Sequence, residues 1–279
     1  LEEAIRDAPE GSTLVLDPGT YRLEEPLEIR KPLHLVGAGM DETEIVSDAP
    51  GYIIRFVGDG PFGAEGITFR HEGDLQANVV IVERGDVAFI RCRFTGSTKG
   101  VGLGLQGDAT GIVQRCTATE NDIGIVVAEQ AHPTLEENVC KSNERAGIAY
   151  LDDSSGVAHY NECSENVMHG IYVEGQAQPT LEENACKSNG DTGIVYTDDG
   201  RGVARKNECS DNEKHGIYVE GQAQPILEQN ICTGNGETGI GYSGDGGGIA
   251  RQNECLENGE HGIGADERAQ PTLEENICK

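Results

Sequence analysis

Tryptophan is missing from this 279-residue chain, methionine occurs twice, and phenylalanine and tyrosine number only 5 and 8. With 36% hydrophobic residues and 39 glycines, large side chains are too few for a thick globular core. A thin core repeated along an axis needs far fewer, because each layer buries only a few residues against its neighbours. No stretch approaches the ~18 consecutive apolar residues of a membrane span, so no membrane association is expected. No secretory signal is visible, and both ends, Leu1 and Lys279, read as cut from a longer chain. Cations are scarce: 21 Lys and Arg against 49 Asp and Glu leave a formal charge of −28. A phosphate binder needs a basic stripe, so nucleic acid is excluded as a partner and the charge is read as serving solubility. Linker-like tracts are also absent, which points to one domain over residues 1–279.

What the chain has is a repeat. Its cysteines fall at 92, 116, 140, 163, 186, 209, 232, 255 and 278, with gaps of 24, 24 and then 23 six times. Asn138, Asn161, Asn184, Asn207, Asn230, Asn253 and Asn276 each lie two residues before a cysteine, and Asn143, Asn166, Asn189, Asn212, Asn235 and Asn258 each lie three after one. Gly124, Gly147, Gly170, Gly193, Gly216, Gly239 and Gly262 are each followed by Ile. Segments such as Gly-Ile-Tyr-Val at 216–219 are short, β-branched or aromatic, and bounded by turn residues, which is strand patterning. No window carries the long 3.6-residue periodicity of a helix per repeat.

The fold class is therefore all-β: a right-handed parallel β-helix of three-strand coils of about 23 residues. In one coil the strands are placed at Ile171–Glu174, Thr180–Glu182 and Ala185–Lys187, with Asn184 at a left-handed bend. The glycines are expected at corners, from positive φ or close backbone approach. Gly-Val-Ala-x-x-Asn-Glu-Cys alternates with Gln-Pro-x-Leu-Glu-x-Asn-x-Cys, so the true unit is two unlike coils, 46 residues, with alanine facing leucine. Residues 1–70 hold a capping helix at Leu1–Ala8, with Leu1, Ala4, Ile5 and Ala8 on one face, and irregular first coils; 71–115 are irregular coils and 116–279 the regular ones.

The opening order, an amphipathic helix, Ser12–Asp17, Pro18-Gly19-Thr20-Tyr21, Leu27–Arg30 and Leu33–Gly39, resembles that of the pectin lyase-like superfamily. From about Cys92 onward the chain resembles the NosD and F-box-type β-helix repeats, the carbohydrate-binding and sugar-hydrolase type of domain. The resemblance implies the fold and a link to carbohydrate. The stretches Gln76–Val80 and Gly85–Gly96 look like the first catalytic region of pectin methylesterases. Where that family continues Gln-Asp-Thr-Leu, this chain has Ser97-Thr98-Lys99-Gly100, and the later Asp-Phe-Ile-Phe-Gly motif is missing. Methylesterase activity is not expected.

Two groups of side chains are candidates for chemistry. Asp152-Asp153 and Asp198-Asp199 are paired carboxylates that could divide acid and base roles, and Asp198, Asp199 and Arg201 would suit calcium-assisted lyase chemistry. Both pairs lie in Gly/Ser-rich turns, where Asp is ordinary turn chemistry, and they recur with the repeat, whereas a catalytic site is a single asymmetric constellation. The turn reading is preferred; beyond that calcium, no cofactor or metal site is expected. The nine cysteines lack the close Cys-x-x-Cys pairs of zinc sites and are read as a reduced inward stack, which favours a cytoplasmic location. The second group is Tyr172 and Tyr218 pointing outward, with Glu174 and Glu220 at the strand ends and His169 and His215 before the strands. Aromatic rings beside carboxylates at regular spacing suit sugar rings or a peptide. The paired glutamates Glu136-Glu137, Glu182-Glu183 and Glu274-Glu275 are expected to form a solvated acidic ridge.

The expected function is a non-catalytic β-helix domain binding a polysaccharide or protein along its side, as part of a larger protein. A carbohydrate-active lyase, hydrolase or epimerase is the alternative; a structural spacer, or a synthetic repeat, is the third. The bare C-terminal coil leads to an expectation of weak homodimerisation at that end.

Overall fold

The computed structural model describes residues 1–266 and 268–279. Three parallel sheets run the length of the molecule. The first has 12 strands, from Ser12–Val15 to Thr272–Glu274; the second has 12, from Gly19–Arg22 to Ile277–Cys278; the third has 11, from Leu27–Ile29 to Ile263–Ala265. Each strand pairs with the strand three along in the chain, so one turn of the solenoid visits all three sheets in order. The coil expected at 171–187 is present, with strands Thr180–Glu182 and Ala185–Lys187. Its first strand is His169–Val173, so His169 lies inside the strand and Glu174 just beyond it. The helix covers Glu2–Asp7; Ile5 is buried and Leu1 and Ala8 pack on the core, but Ala4 is exposed, because a six-residue helix offers only one narrow stripe.

Stacking in register makes columns of identical side chains. Cys140, Cys163, Cys186, Cys209, Cys232, Cys255 and Cys278 are successive partners. All nine cysteines are free thiols, and eight are buried; Cys278, in the last strand, is exposed. Burial pushes the Cys116 thiol well above its ordinary range, which keeps it protonated and inert.

Two asparagine ladders run beside them. The Asn184 Oδ1 accepts from the backbone N–H and the side-chain amide of Asn161, at 3.0 and 2.9 Å. Its own amide donates to Ala158 O at 2.8 Å and to Asn207 Oδ1 at 2.9 Å. The left-handed residue at this bend is not Asn184 but its predecessor: Glu183 has φ 54°, as Lys206 and Gln229 have 54° and 55°. The asparagine is free to turn its amide inward because its neighbour takes the strained backbone.

The glycine column needs room, not positive φ. A Cβ on Gly170 would stand 2.6 Å from Gly193 O and 3.0 Å from Cys186 Cβ. The position therefore faces inward, as does the adjacent Ile171, which is fully buried.

The alternation between coils is larger than leucine against alanine. Val127, Tyr150, Val173, Tyr196, Val219 and Tyr242 are successive partners in the third sheet, and Leu135, Ala158, Leu181, Ala204, Leu227 and Ala250 in the first. A coil with tyrosine has alanine across the bore, and a coil with valine has leucine. Summed volume per layer stays nearly level, as close packing requires.

The expected acidic ridge is largely neutralised. Glu136, His159, Glu182, Arg205, Glu228 and Arg251 are consecutive partners on the first sheet. Arg205 pairs with Glu182 at 2.8 Å and Arg251 with Glu228 at 3.2 Å, so acid and base alternate up the axis.

Candidate functional site

The outer row of the third sheet reads Ile81, Gly104, Val126, Ala149, Tyr172, Val195, Tyr218, Gly241, Gly264 in register. From Ile81 to Gly264 this row is uncharged, unlike the alternating Glu and Arg of the first sheet; toward the N-terminus it continues in register to Arg55 and Glu28. Tyr172 and Tyr218 are its two aromatic members and both are half-buried.

The glycine column explains how histidine joins them. Because Gly170 and Ile171 both face inward, the residues on either side, His169 and Tyr172, emerge on the same outer surface although three apart. Their rings stack with centroids 5.5 Å apart and planes at 12°. His215 and Tyr218 repeat the arrangement at 4.6 Å and 9°. The absent side chain of Gly241 leaves room for the second pair: a Cβ there would sit 2.9 Å from Tyr218 Cδ2. In the next unit His261 is followed by Gly264 in the tyrosine's place, and no pair forms.

The pairs share a groove of about 450 Å³ that also takes in Asp191, Lys214, Glu220 and Glu237. The two units are chemically unlike. Lys214 donates to the Asp191 carboxylate, which Thr192 Oγ1 also contacts at 2.8 Å. Burial works against the Asp191 charge, but these two donors hold its carboxyl below the usual range. One unit on, residue 260 is Glu where 214 is Lys, and Glu237 is left to His215, Nε2 to Oε2 3.2 Å. The Thr238 N–H donates to His215 Nδ1 at 3.4 Å, which puts the ring proton on Nε2, facing Glu237. Burial lowers the His215 pKa, against the pull of Glu237, and lowers that of His169 likewise. His169 Nδ1 is buried and has no hydrogen-bond partner among the described residues. Tyr218 donates its hydroxyl to Ser243 Oγ at 2.7 Å. Tyr172 is pushed up to about 12, by burial first and then by the carboxylates of Glu174, Asp198 and Glu220.

The aspartates behave as turn residues and yet converge. Asp152 and Asp198 have φ of 58° and 54° and occupy equivalent turns; Gly175 and Gly221 hold that position in the coils after each. With glycine between them, Asp152, Asp153, Asp198 and Asp199 line one groove of about 530 Å³ with Gln176 and Gln222. Arg201 is exposed and is not part of its lining, so the Asp–Asp–Arg cluster expected for calcium-assisted chemistry is not assembled there. Among the described residues no three His, Cys, Asp or Glu side chains are placed to hold a metal ion. Glu174 and Glu220 immediately precede Gly175 and Gly221, so the aromatic and acidic grooves adjoin along that line.

Sequence reasoning found the six aromatic-face residues and the four aspartates but missed Asp191, Lys214, Glu237 and Ser243. Asp191-Thr192-Gly193 and Glu237-Thr238-Gly239 are the same columns 46 residues apart, and that period was the available signal.

Solenoid, side groove and inward columns together define a parallel β-helix of the pectin lyase-like kind. The chain belongs to the right-handed beta helix family, whose profile, described as "Right handed beta helix region", matches residues 77–203 and 169–279. No curated protein sequence matches it. Among solved structures it is similar to a variant of the periplasmic alginate epimerase AlgG, at 15% identity and a TM-score of 0.79 over 99% of this chain and 82% of that one. The A-module of the Azotobacter vinelandii mannuronan C-5 epimerase AlgE6 matches at 16% identity and a TM-score of 0.67, over 96% and 90%. The Dettilon tailspike protein matches at 13% identity and a TM-score of 0.64, over 97% and 63%. Identity this low establishes a shared fold and nothing about a shared site.

Proposed function

We propose that the chain is a binding module that holds an extended glycan along the outer face of its third sheet, without transforming it. The observation that carries this reading is the pair of stacked His–Tyr units on the uncharged stretch of that row. They lie two coils apart, about 9.6 Å at ~4.8 Å per coil, close to the length of a disaccharide in an extended β-linked chain. Each tyrosine is held by its stacked histidine, so little side-chain entropy is lost when a sugar ring packs on the pair. Two of the similar solved structures are named as epimerases of alginate or mannuronan, which supports carbohydrate as the ligand class.

The test is calorimetric titration with defined hexasaccharides. Tyr172→Ala and Tyr218→Ala should each weaken binding about tenfold, the usual cost of truncating an aromatic anchor. Binding unaffected by both changes, or no binding to any glycan, would refute the proposal.

A second reading, a carbohydrate-active enzyme, draws on the four aspartates that line one groove. Turnover of any polysaccharide that is abolished by Asp198→Asn or Asp199→Asn would favour it.

A further inference from the structure

We infer that the glycan is cationic: a chain of β-linked amino sugars whose ammonium groups meet Glu174 and Glu220. This rests on the glycan reading above and adds the ligand's charge. Glu174 and Glu220 are half-buried at the ends of the tyrosine strands, and among the described residues neither is in an ion pair. The nearby cations are engaged elsewhere: Arg145 holds Asp122 through three hydrogen bonds of 2.7 to 3.0 Å, and Lys214 holds Asp191. The carboxylates of Glu174, Asp198 and Glu220 all bear on Tyr172, opposed by the Arg145 guanidinium.

Beyond this line lie Asp152, Asp153, Asp198 and Asp199, exposed and equally without ion pairs among the described residues. Crossing the face from one side to the other, a ligand meets the imidazoles with the paired Asp191, Lys214 and Glu237, then two aromatic rings, then six further carboxylates. A pyranose ring lying on Tyr172 or Tyr218 would present one edge to those carboxylates. These carboxylates carry no counter-charge among the described residues, and an ammonium edge supplies charge-assisted hydrogen bonds to them. A uronate edge would meet repulsion instead, reinforced by the net charge of −28.

Spacing selects the polymer. In an extended β-1,4-linked chain successive sugars are flipped, so amino groups on one edge recur at every second sugar. Glu174 and Glu220 recur at every second coil, about 9.6 Å.

The test compares four hexamers by calorimetry at a pH where amines are protonated: glucosamine, N-acetylglucosamine, glucose (all β-1,4-linked) and mannuronate. The glucosamine hexamer should bind at least about tenfold more tightly than the other three, and its affinity should fall with salt. Glu174→Gln with Glu220→Gln should erase that preference. Glu162→Gln with Glu254→Gln, which removes the same charge from the second sheet, should preserve it. If neutral hexamers bind as tightly as the amine and depend on Tyr172, the charge inference falls and the glycan reading stands. If both double variants weaken the amine equally, the attraction is diffuse and the inference is overturned. If no hexamer binds, both fall.

Discussion

Three tyrosines in the bore offer a sharp test of how this solenoid is stabilised. Tyr150, Tyr196 and Tyr242 are at most 1% exposed, and their hydroxyls have no hydrogen-bond partner among the described residues. Burial pushes all three hydroxyls far above the ordinary tyrosine range, so they stay neutral. A hydroxyl taken from water with nothing in exchange costs about 1–3 kcal/mol. Phenylalanine keeps the ring that fills the space across from Ala158, Ala204 or Ala250 and deletes only the oxygen, with a small loss of dispersion contacts. Each Tyr→Phe change should therefore stabilise the fold by about 1 kcal/mol, the low end of that range. The sites are two coils, about 9.6 Å, apart, far enough for the effects to add to about 3 kcal/mol in the triple variant. Urea unfolding should be followed by far-ultraviolet circular dichroism and by tyrosine fluorescence, whose coincidence checks for a single transition. The midpoint should rise with an unchanged slope. A midpoint that falls by the equivalent of 1 kcal/mol or more at Tyr196→Phe would refute the reasoning and mean that an interior water holds the hydroxyl.

Other outcomes follow from the same structure. Asn184→Ala orphans the Asn161 N–H and strips a donor from Ala158 O, so unfolding measurements should show a loss of about 2–4 kcal/mol. Thiol titration of the native protein should find one fast-reacting cysteine, Cys278, and nine in denaturant without reductant; three or more disulfides would contradict the reduced stack. His169 and His215 have pKa values lowered from 6.5 by burial, so the unfolded chain takes up protons that the folded chain refuses. Their contribution is present above pH 6.5 and is lost as pH falls through the folded values, so the thermal midpoint should drop on acidification and drop less in the His169→Asn/His215→Asn variant.

Much of this architecture is legible in the sequence because a solenoid writes its contacts as a period. Columns of Cys, Asn and Gly-Ile fix the coil length, and coil length fixes which residues touch. The bends are less legible. Glu183, Lys206 and Gln229 take the left-handed conformation although nothing in their chemistry favours it, since the preference is imposed by the buried amide of the asparagine that follows. Tyr150 escaped notice because an isolated tyrosine reads as a surface residue; only its parity with the inward Ile148 places it in the bore. Tyr172 and Tyr218, of the other parity, were legible for the same reason. The acidic groove was legible only in part. Each Asp pair announces a turn, but the convergence of two turns across Gly175 depends on stacking distance and not on any local signal.

The reciprocal filling of the bore, tyrosine against alanine and then valine against leucine, has a bearing on how the molecule can change length. Excising a single valine–leucine coil would bring two tyrosine layers into direct contact on one wall and two alanine layers on the opposite wall. One side would be overcrowded and the other hollow, a fault of a few kcal/mol on each count. Excising or adding two adjacent regular coils preserves the alternation inside the bore. Within the regular coils, length is therefore expected to change in steps of two, because only those steps keep tyrosine layers facing valine layers on one wall and alanine facing leucine on the other.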